Sequence, residues 1–290
     1  MLRSFLASLA FLILALPTFS FASDELTILE SVVAAGERGQ PGLQNYLATI
    51  ETTRIEELLA GLTQGSAPDG KPPAPPVINK FWQRKGKGLV YVSNTQLSPA
   101  VAEQVQQISA DLAVDLNDIL LPAEQAGQRR ALVKGAKITL SDVALADRLI
   151  HHLEITFAQP TDLGQAFYTD GIRLPQKQIT ALVFDIDSTT ETVSELHIVA
   201  DDGMQLTVEI RYIEVPGGYV PERIKVTSPD GKIDDLFETV FSDVDGYLLP
   251  SSTQRTIRRP DLMDNTQVIF KNYRVNQQIP ADLQDRLDNK

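Results

Sequence analysis

Apolar and polar residues alternate through residues 179–276. Leu182, Phe184 and Ile186 stand two apart, with Val183 and Asp185 between them. Leu206, Val208, Ile210 and Tyr212 repeat the spacing, with Thr207, Glu209 and Arg211 facing the other way. Side chains of a strand point alternately to its two faces, so each run predicts a strand with one apolar and one wetter face. The runs are broken at Asp202-Gly203, Pro216-Gly217-Gly218, Asp230-Gly231 and Asp245-Gly246. Glycine enters the left-handed backbone region freely and aspartate tolerates it, which makes these breaks turns. Strands joined by short turns pair antiparallel; a parallel sheet needs longer crossovers. The pattern predicts an antiparallel meander whose apolar face must be covered.

A different rhythm precedes it. In residues 26–62, Leu26, Leu29 and Val33 share a helical face, and Leu43, Leu47, Ile50, Ile55, Leu58, Leu59 and Leu62 recur every three or four positions. Gly36, Gly39 and Pro41-Gly42 divide the stretch into two predicted helices. Residues 65–76 form a stiff, proline-rich loop. Residues 88–93 read as a short strand. Ser98-Pro99 reads as an N-cap followed by proline at the first helical position, opening a helix with Val101, Val105, Ile108 and Leu112 on one face. Residues 123–128 read as a polar connection, 131–140 as a strand weakened by Gly135, 141–151 as a helix, 153–157 as a strand and 159–177 as a loop. The early apolar stripes match the meander's apolar face, which predicts one α+β domain with a helical insertion around residues 98–153.

The first 22 residues carry the marks of an export signal. Arg3 is a short positive region, residues 5–16 are apolar, and Ser20 and Ala22 are small residues at the −3 and −1 positions of a cleavage site. The apolar run falls short of the roughly 20 residues that span a bilayer. Cleavage after Ala22 leaves residues 23–290 as a soluble, exported chain. The chain has no cysteine, which excludes disulfides, thiolate metal sites and cysteine nucleophiles. Its formal net charge of −12 argues against nucleic acid as a partner. Lys and Arg cluster at residues 80–87 and 255–259. These read first as solvated loop charges, and second as contacts for anionic lipid head groups.

Catalytic signals are thin. Val183-Phe184-Asp185-Ile186-Asp187-Ser188-Thr189 matches the aspartyl nucleophile segment of haloacid dehalogenase-like phosphatases, where one carboxylate attacks phosphorus, a second transfers a proton and Mg²⁺ binds between them. Alternating strands surround the segment here, where that family has a strand followed by a helix. Alternation also puts Asp185 and Asp187 on the wetter face. A Mg-dependent phosphatase using Asp185 and Asp187 is the minor alternative. His151-His152 are neighbours whose side chains diverge, a poor start for a metal site. No GxSxG, HExxH, P-loop or GxGxxG segment is present, so the reading includes no catalytic residue, metal or cofactor.

The C-terminal third carries a resemblance. Pro221-Glu222-Arg223-Ile224, Ser228-Pro229-Asp230-Gly231, Phe241-Ser242-Asp243 and residues 244–250 (Val-Asp-Gly-Tyr-Leu-Leu-Pro), then residues 268–276 with Ile279-Pro280, resemble the exported lipoprotein-carrier, or lipoprotein-sorting, LolA-like family. The resemblance covers about a third of the chain and implies a curved, unclosed antiparallel half-barrel with helices on its concave apolar face. It implies a groove for acyl chains, a periplasmic location and a role in outer-membrane biogenesis. The candidate lining is Leu182, Phe184, Ile186, Leu196, Ile198, Leu206, Val208, Ile210, Tyr212, Ile224, Val226 and Phe270. Expected partners are the acyl chains of a lipid or lipoprotein and a membrane-bound donor or acceptor protein, with the chain itself a monomer. The alternative is a non-enzymatic sensor or protein-binding module of the same fold, its groove filled by helices.

Overall fold

The computed structural model describes residues 22–55, 57, 76–84, 88–93, 99–112, 119–145, 148–169, 178–279, 283–284 and 287. The stretch read as an export signal, through residue 21, and most of the predicted proline-rich loop lie outside them, as do Ser98, Val114 and Leu116. The described chain builds one antiparallel sheet of twelve strands. They are β1 (Asn45–Thr52), β2 (Val77–Gln83), β3 (Leu89–Ser93), β4 (Lys137–Leu145), β5 (Arg148–Thr161), β6 (Ile179–Asp187), β7 (Thr192–Ala200), β8 (Gln205–Val215), β9 (Gly218–Thr227), β10 (Asp234–Val244), β11 (Tyr247–Arg259) and β12 (Leu262–Val275). Their spatial order is β3-β2-β1-β12-β11-β10-β9-β8-β7-β6-β5-β4. From β4 to β12 each strand pairs with its predecessor, the predicted meander extended by two strands. The sheet does not close: β3 and β4 are its edges.

Among the described residues, the helices α1 (Ala22–Arg38), α2 (Pro99–Leu112) and α3 (Ala126–Leu132) accompany the sheet. Helix α1 touches β4, β7 and β9 on the inner face of the sheet. Its Leu29 is buried, with Leu26, Val32 and Val33 partly so, against a cluster that includes Leu153, Phe184, Leu196, Val208 and Val226. Helix α2 lies against β3, and its buried Val105 joins Ile50, Ile78, Val90, Val268 and Phe270. Register puts both clusters on one face of the sheet. Leu153, Phe184, Leu196, Val208 and Val226 are successive cross-strand partners, and so are Phe270, Ile50, Ile78 and Val92. The architecture is the expected α+β unclosed sheet with helices on its apolar face.

Local readings differ in three places. The second predicted helix is β1 with a short helical turn after it. Tyr46, Leu47 and Ala48 are all buried, because the outer face of β1 is also covered: Leu47 packs with Phe81, Leu89 and the C-terminal Leu283. Burial on both faces erases the two-residue alternation, and leucines at a spacing of three or four then mimic a helix. The helix predicted over 141–151 is the hairpin of β4 and β5. Here the edge strand is exposed on both faces, so again no face is marked. Conversely, the polar connection at 123–128 is a 3₁₀ turn running into α3. Strand β2 went unassigned in the sequence reading.

Candidate functional site

The C-terminus of α1 is clamped to one end of the sheet. Arg84, at the end of β2, donates to four carbonyls: Glu37 O at 2.6 Å, Gly39 O at 2.9 Å, Gln40 O at 2.6 Å and Leu43 O at 2.7 Å. A guanidinium meets both the unpaired carbonyls and the negative dipole end of a helix there. Gln40 continues the clamp from a left-handed backbone, φ 55°. Its N–H donates to Pro216 O at 2.6 Å, and its side-chain amide both accepts from Leu248 N–H at 2.6 Å and donates to Leu248 O at 3.0 Å. Gly217 takes φ +81°, and a Cβ there would stand 2.9 Å from the Arg38 carbonyl. The β8–β9 turn approaches the helix end this closely only because it carries no side chain.

Between the clamped end of α1 and the sheet lies a cavity of about 1180 Å³. Its floor comes from β8 to β12: Ile210, Tyr212, Ile224, Thr239, Phe241, Leu249, Thr253 and Phe270. Tyr46 and Trp82, stacked with centroids 5.5 Å apart, form a side wall. Val32 and Val33 of α1 are the roof, while residues 120–125 and the β6–β7 turn at residues 189–192 border the mouth. Mouth charges are partly matched, since Arg38 pairs with Glu191.

The floor changes character across the sheet. One row of partners runs Ile210, Ile224, Phe237, Arg255 and Thr266. The row beside it runs Phe184, Leu196, Val208, Val226 and Asp235. Both rows are apolar up to β9 and turn charged at β10 or β11. Asp235 is 0% exposed and Arg255 6%. The Arg259 Nε donates to Asp235 Oδ2 at 2.9 Å, and the Arg255 guanidinium stands 5.5 Å from the Phe237 ring centroid. Thr239 and Thr253, each 8% exposed, face one another with hydroxyl oxygens 3.3 Å apart. Lys80, 4% exposed, lies over Phe270 at 5.6 Å. Four members of the two basic clusters are thus not solvated loop charges: Lys80, Arg255 and Arg259 are strand residues turned into the protein, and Arg84, just after β2, reaches the end of α1, whereas Arg258 is exposed. Sequence reasoning missed them because a charge in an alternating run reads as the wet face. The one available signal was that Arg255 stands two positions from the apolar Ile257, on the same face of a strand.

Of the twelve groove candidates, Ile210, Tyr212, Ile224 and Phe270 line the cavity. Leu182, Phe184, Ile186, Leu196, Ile198, Leu206, Val208 and Val226 lie in the core cluster containing Leu29 of α1. Burial raises the Tyr212 phenol well above the usual tyrosine range, and a hydrogen bond from the Val193 backbone opposes the shift. Tyr168, whose backbone bridges to Leu120 at the mouth, is pushed up to about 12 by burial and by Asp162. Beneath the 120–125 segment, Arg129 donates to Pro122 O and Ala166 O, each at 2.8 Å, and burial lowers its pKa.

The phosphatase-like carboxylates have other duties. Asp185 lies 2.7 Å from His152 Nδ1 on the outer face. Asp187 is buried, contrary to the wet-face expectation; its Oδ1 accepts from Thr189 N–H at 2.9 Å and Thr190 N–H at 3.0 Å, closing the β6–β7 turn. A short bulge between Asp185 and Ile186 shifts the register before this residue. His151 pairs instead with Asp142 at 2.7 Å. Among the described residues, no three His, Asp or Glu side chains gather as a metal site, and no helix is long and apolar enough to cross a membrane.

No protein-family model and no curated protein matches the chain. Among solved structures it is similar to a LolA superfamily protein from Nitrosomonas europaea, at 12% identity over 89% of this chain and 96% of that one, with a TM-score of 0.34. It is similar to an outer membrane lipoprotein-sorting protein domain from Vibrio parahaemolyticus, at 10% identity over 90% and 97%, TM-score 0.32. It is also similar to the Pseudomonas aeruginosa MucA/MucB complex structure, at 12% identity over 89% and 95%, TM-score 0.20. At these values no residue role or ligand passes to this chain. The first two structures carry the family name that the C-terminal motifs of this chain resemble.

Proposed function

We propose that this protein is an exported periplasmic carrier that shields the acyl chains of a lipid or lipoprotein in the cavity beneath α1. The observation that carries this reading is the cavity itself: about 1180 Å³ left between helix and sheet. Small-molecule pockets run to roughly 300–1,000 Å³. A site for acyl chains needs apolar area above all, at about 0.8 kcal/mol per buried CH₂. Ile210, Ile224, Phe241, Leu249, Phe270 and Trp82 supply it. The reading includes cleavage after Ala22, giving a single mature domain that opens on α1, and the C-terminal motifs support it.

Native mass spectrometry of the mature protein purified from its own periplasm is the test. The expected spectrum shows Ser23 as the first residue and a co-purifying acyl species that dissociates on activation. Protein that carries no such species and binds no fluorescent fatty-acyl probe would overturn the carrier reading in favour of a protein-binding module.

A further inference from the structure

Resting on the carrier reading, we infer that the cavity selects acyl chains in ester form over free fatty acids. The Tyr212 hydroxyl donates to the ester carbonyl, and the tail lies along Ile210, Ile224, Phe241 and Phe270.

An irregularity of the sheet sets Tyr212 into the cavity floor. Ile210 pairs with Ile224 and Arg211 with Arg223, but Tyr212 pairs with Pro221. Regular pairing would bring Tyr212 opposite Glu222, a carboxylate able to take the phenol proton. The bulge moves Glu222 out of that place, and Pro221, buried and on the cavity wall, stands there instead. Bulges re-aim side chains in this way. The Tyr212 oxygen receives a hydrogen bond from the Val193 N–H. A phenol has one proton to give as well as lone pairs to accept with. Among the described residues no group takes that proton, and no charged side chain bears on the phenol. Burial keeps it neutral, so it remains a donor throughout the physiological pH range.

The charges around the cavity narrow the ligand. Its charged lining residues are Glu37, Arg38, Arg84, Glu124, Glu191 and Glu214. Arg38 pairs with Glu191, and Arg84 donates to four carbonyls around the end of α1. The remaining three are acids, and all three are exposed. A fatty-acid carboxylate entering the cavity would leave water with no unpaired cation on the wall to meet it, which is costly. An ester carbonyl has no charge to desolvate and needs a single donor, which Tyr212 supplies. The same carbonyl buried without a donor would lose affinity, so the hydroxyl decides the choice.

The test is competition of unlabelled ligands against a fluorescent fatty-acyl probe on the mature protein at pH 8. Monododecanoylglycerol, dodecyl glyceryl ether and dodecanoate share a tail and present an ester, an ether and a free acid. Wild type is expected to bind the ester roughly fivefold or more tightly than either of the others. Tyr212→Phe keeps the ring and removes the donor. It should bring the ester-to-ether ratio below about twofold while the ether's affinity holds, and Glu209→Gln on the outer face should leave the ratio unchanged. A diacylated peptide and a short-chain diacyl phospholipid, run alongside, separate a lipoprotein from a glycerolipid source. Both carry esters, so both should bind more weakly to Tyr212→Phe. If Tyr212→Phe does not fold, by circular dichroism and urea midpoint, the wild-type ratios decide. Wild-type affinity for the ether or the acid equal to or tighter than for the ester, or a ratio unmoved by Tyr212→Phe, would overturn the ester site while leaving the carrier standing. Failure of the probe and every ligand to bind would reject the carrier reading and the ester site together.

Discussion

The two halves of this sheet use the same pleat for different ends. From β5 to β9 the inner face is Leu, Ile, Val and Phe, and the first half of α1 fills the space above it. From β10 through β12 and onto β1 and β2, the same face carries Thr239, Thr253, Arg255, Thr266 and Lys80, and α1 has already ended. The first half is a core under α1; in the second, α2 packs on Ile50, Ile78, Val268 and Phe270, and Phe270, Thr239 and Thr253 also border the cavity. Alternation in sequence shows which side chains point inward; what meets them there depends on where a helix stops.

Truncation should separate the halves most sharply. Phe184→Ala removes a ring that is 0% exposed in the closed half and should cost about 3–5 kcal/mol, seen as a large drop in the urea midpoint. Phe270→Ala, bordering the cavity, should cost roughly half as much and instead weaken binding of a fatty-acyl probe. Equal losses of stability would mean that the cavity half packs as tightly as the core.

The clamp comes next. Arg84→Met leaves the carbonyls around the end of α1 without their donor, which should cost about 1.5–3 kcal/mol. Hydrogen exchange should quicken along α1 and the β8–β9 turn and stay unchanged in β6. Uniform loss of protection would show that the helix end is not a separately held unit.

A buried amide probes the boundary more gently. Ile198→Asn in the closed half and Ile210→Asn at the cavity introduce the same group. Only the second can reach water, so it should be the milder by about 1–3 kcal/mol, with Glu209→Gln on the outer face as the neutral control. Probe affinity should fall for Ile210→Asn.

The smallest effect is a titration at the mouth. The folded pKa of Tyr168, about 12, lies above the roughly 10 of an unfolded tyrosine, so the fold favours the neutral phenol. Its contribution to stability is complete below pH 10 and is lost as pH rises toward 12. Tyr168→Phe should flatten the fall in stability over that window.

The meander was legible because β6 to β12 each bury one face and wet the other, and Asp-Gly or Gly-Gly steps mark four of the six turns between them. Strand β1 was not legible, because Leu47 is covered from outside while Tyr46 and Ala48 are covered from within. Strand β4 failed for the opposite reason, since Val143 and Leu145 are exposed at an edge. The apolar candidates Ile210, Tyr212, Ile224 and Phe270 could be read as inward-facing. Their separation from Leu182 or Phe184 could not, because it is decided by the end of α1 and by the reach of Arg84 from β2. Arg255 and Lys80 were hidden by a rule that serves well elsewhere, that charge marks the solvent side.

Strand β1 pairs on one side with the next strand, β2, and on the other with β12, at the far end of the chain. The hydroxyl of Thr49 donates to the carbonyl of Lys271, 222 positions away. Every other ladder joins near neighbours and can form hairpin by hairpin during or soon after synthesis. This one must wait for the last strand, and β2, β3 and α2 wait with it. Closing so long a loop is slow, though the thermodynamic penalty grows only with the logarithm of its length. A chain stopped before β12 would therefore hold a finished meander and an N-terminal third with no sheet edge to join. Linking the native ends and opening the chain at the exposed β9–β10 turn would turn the slowest ladder into a local one.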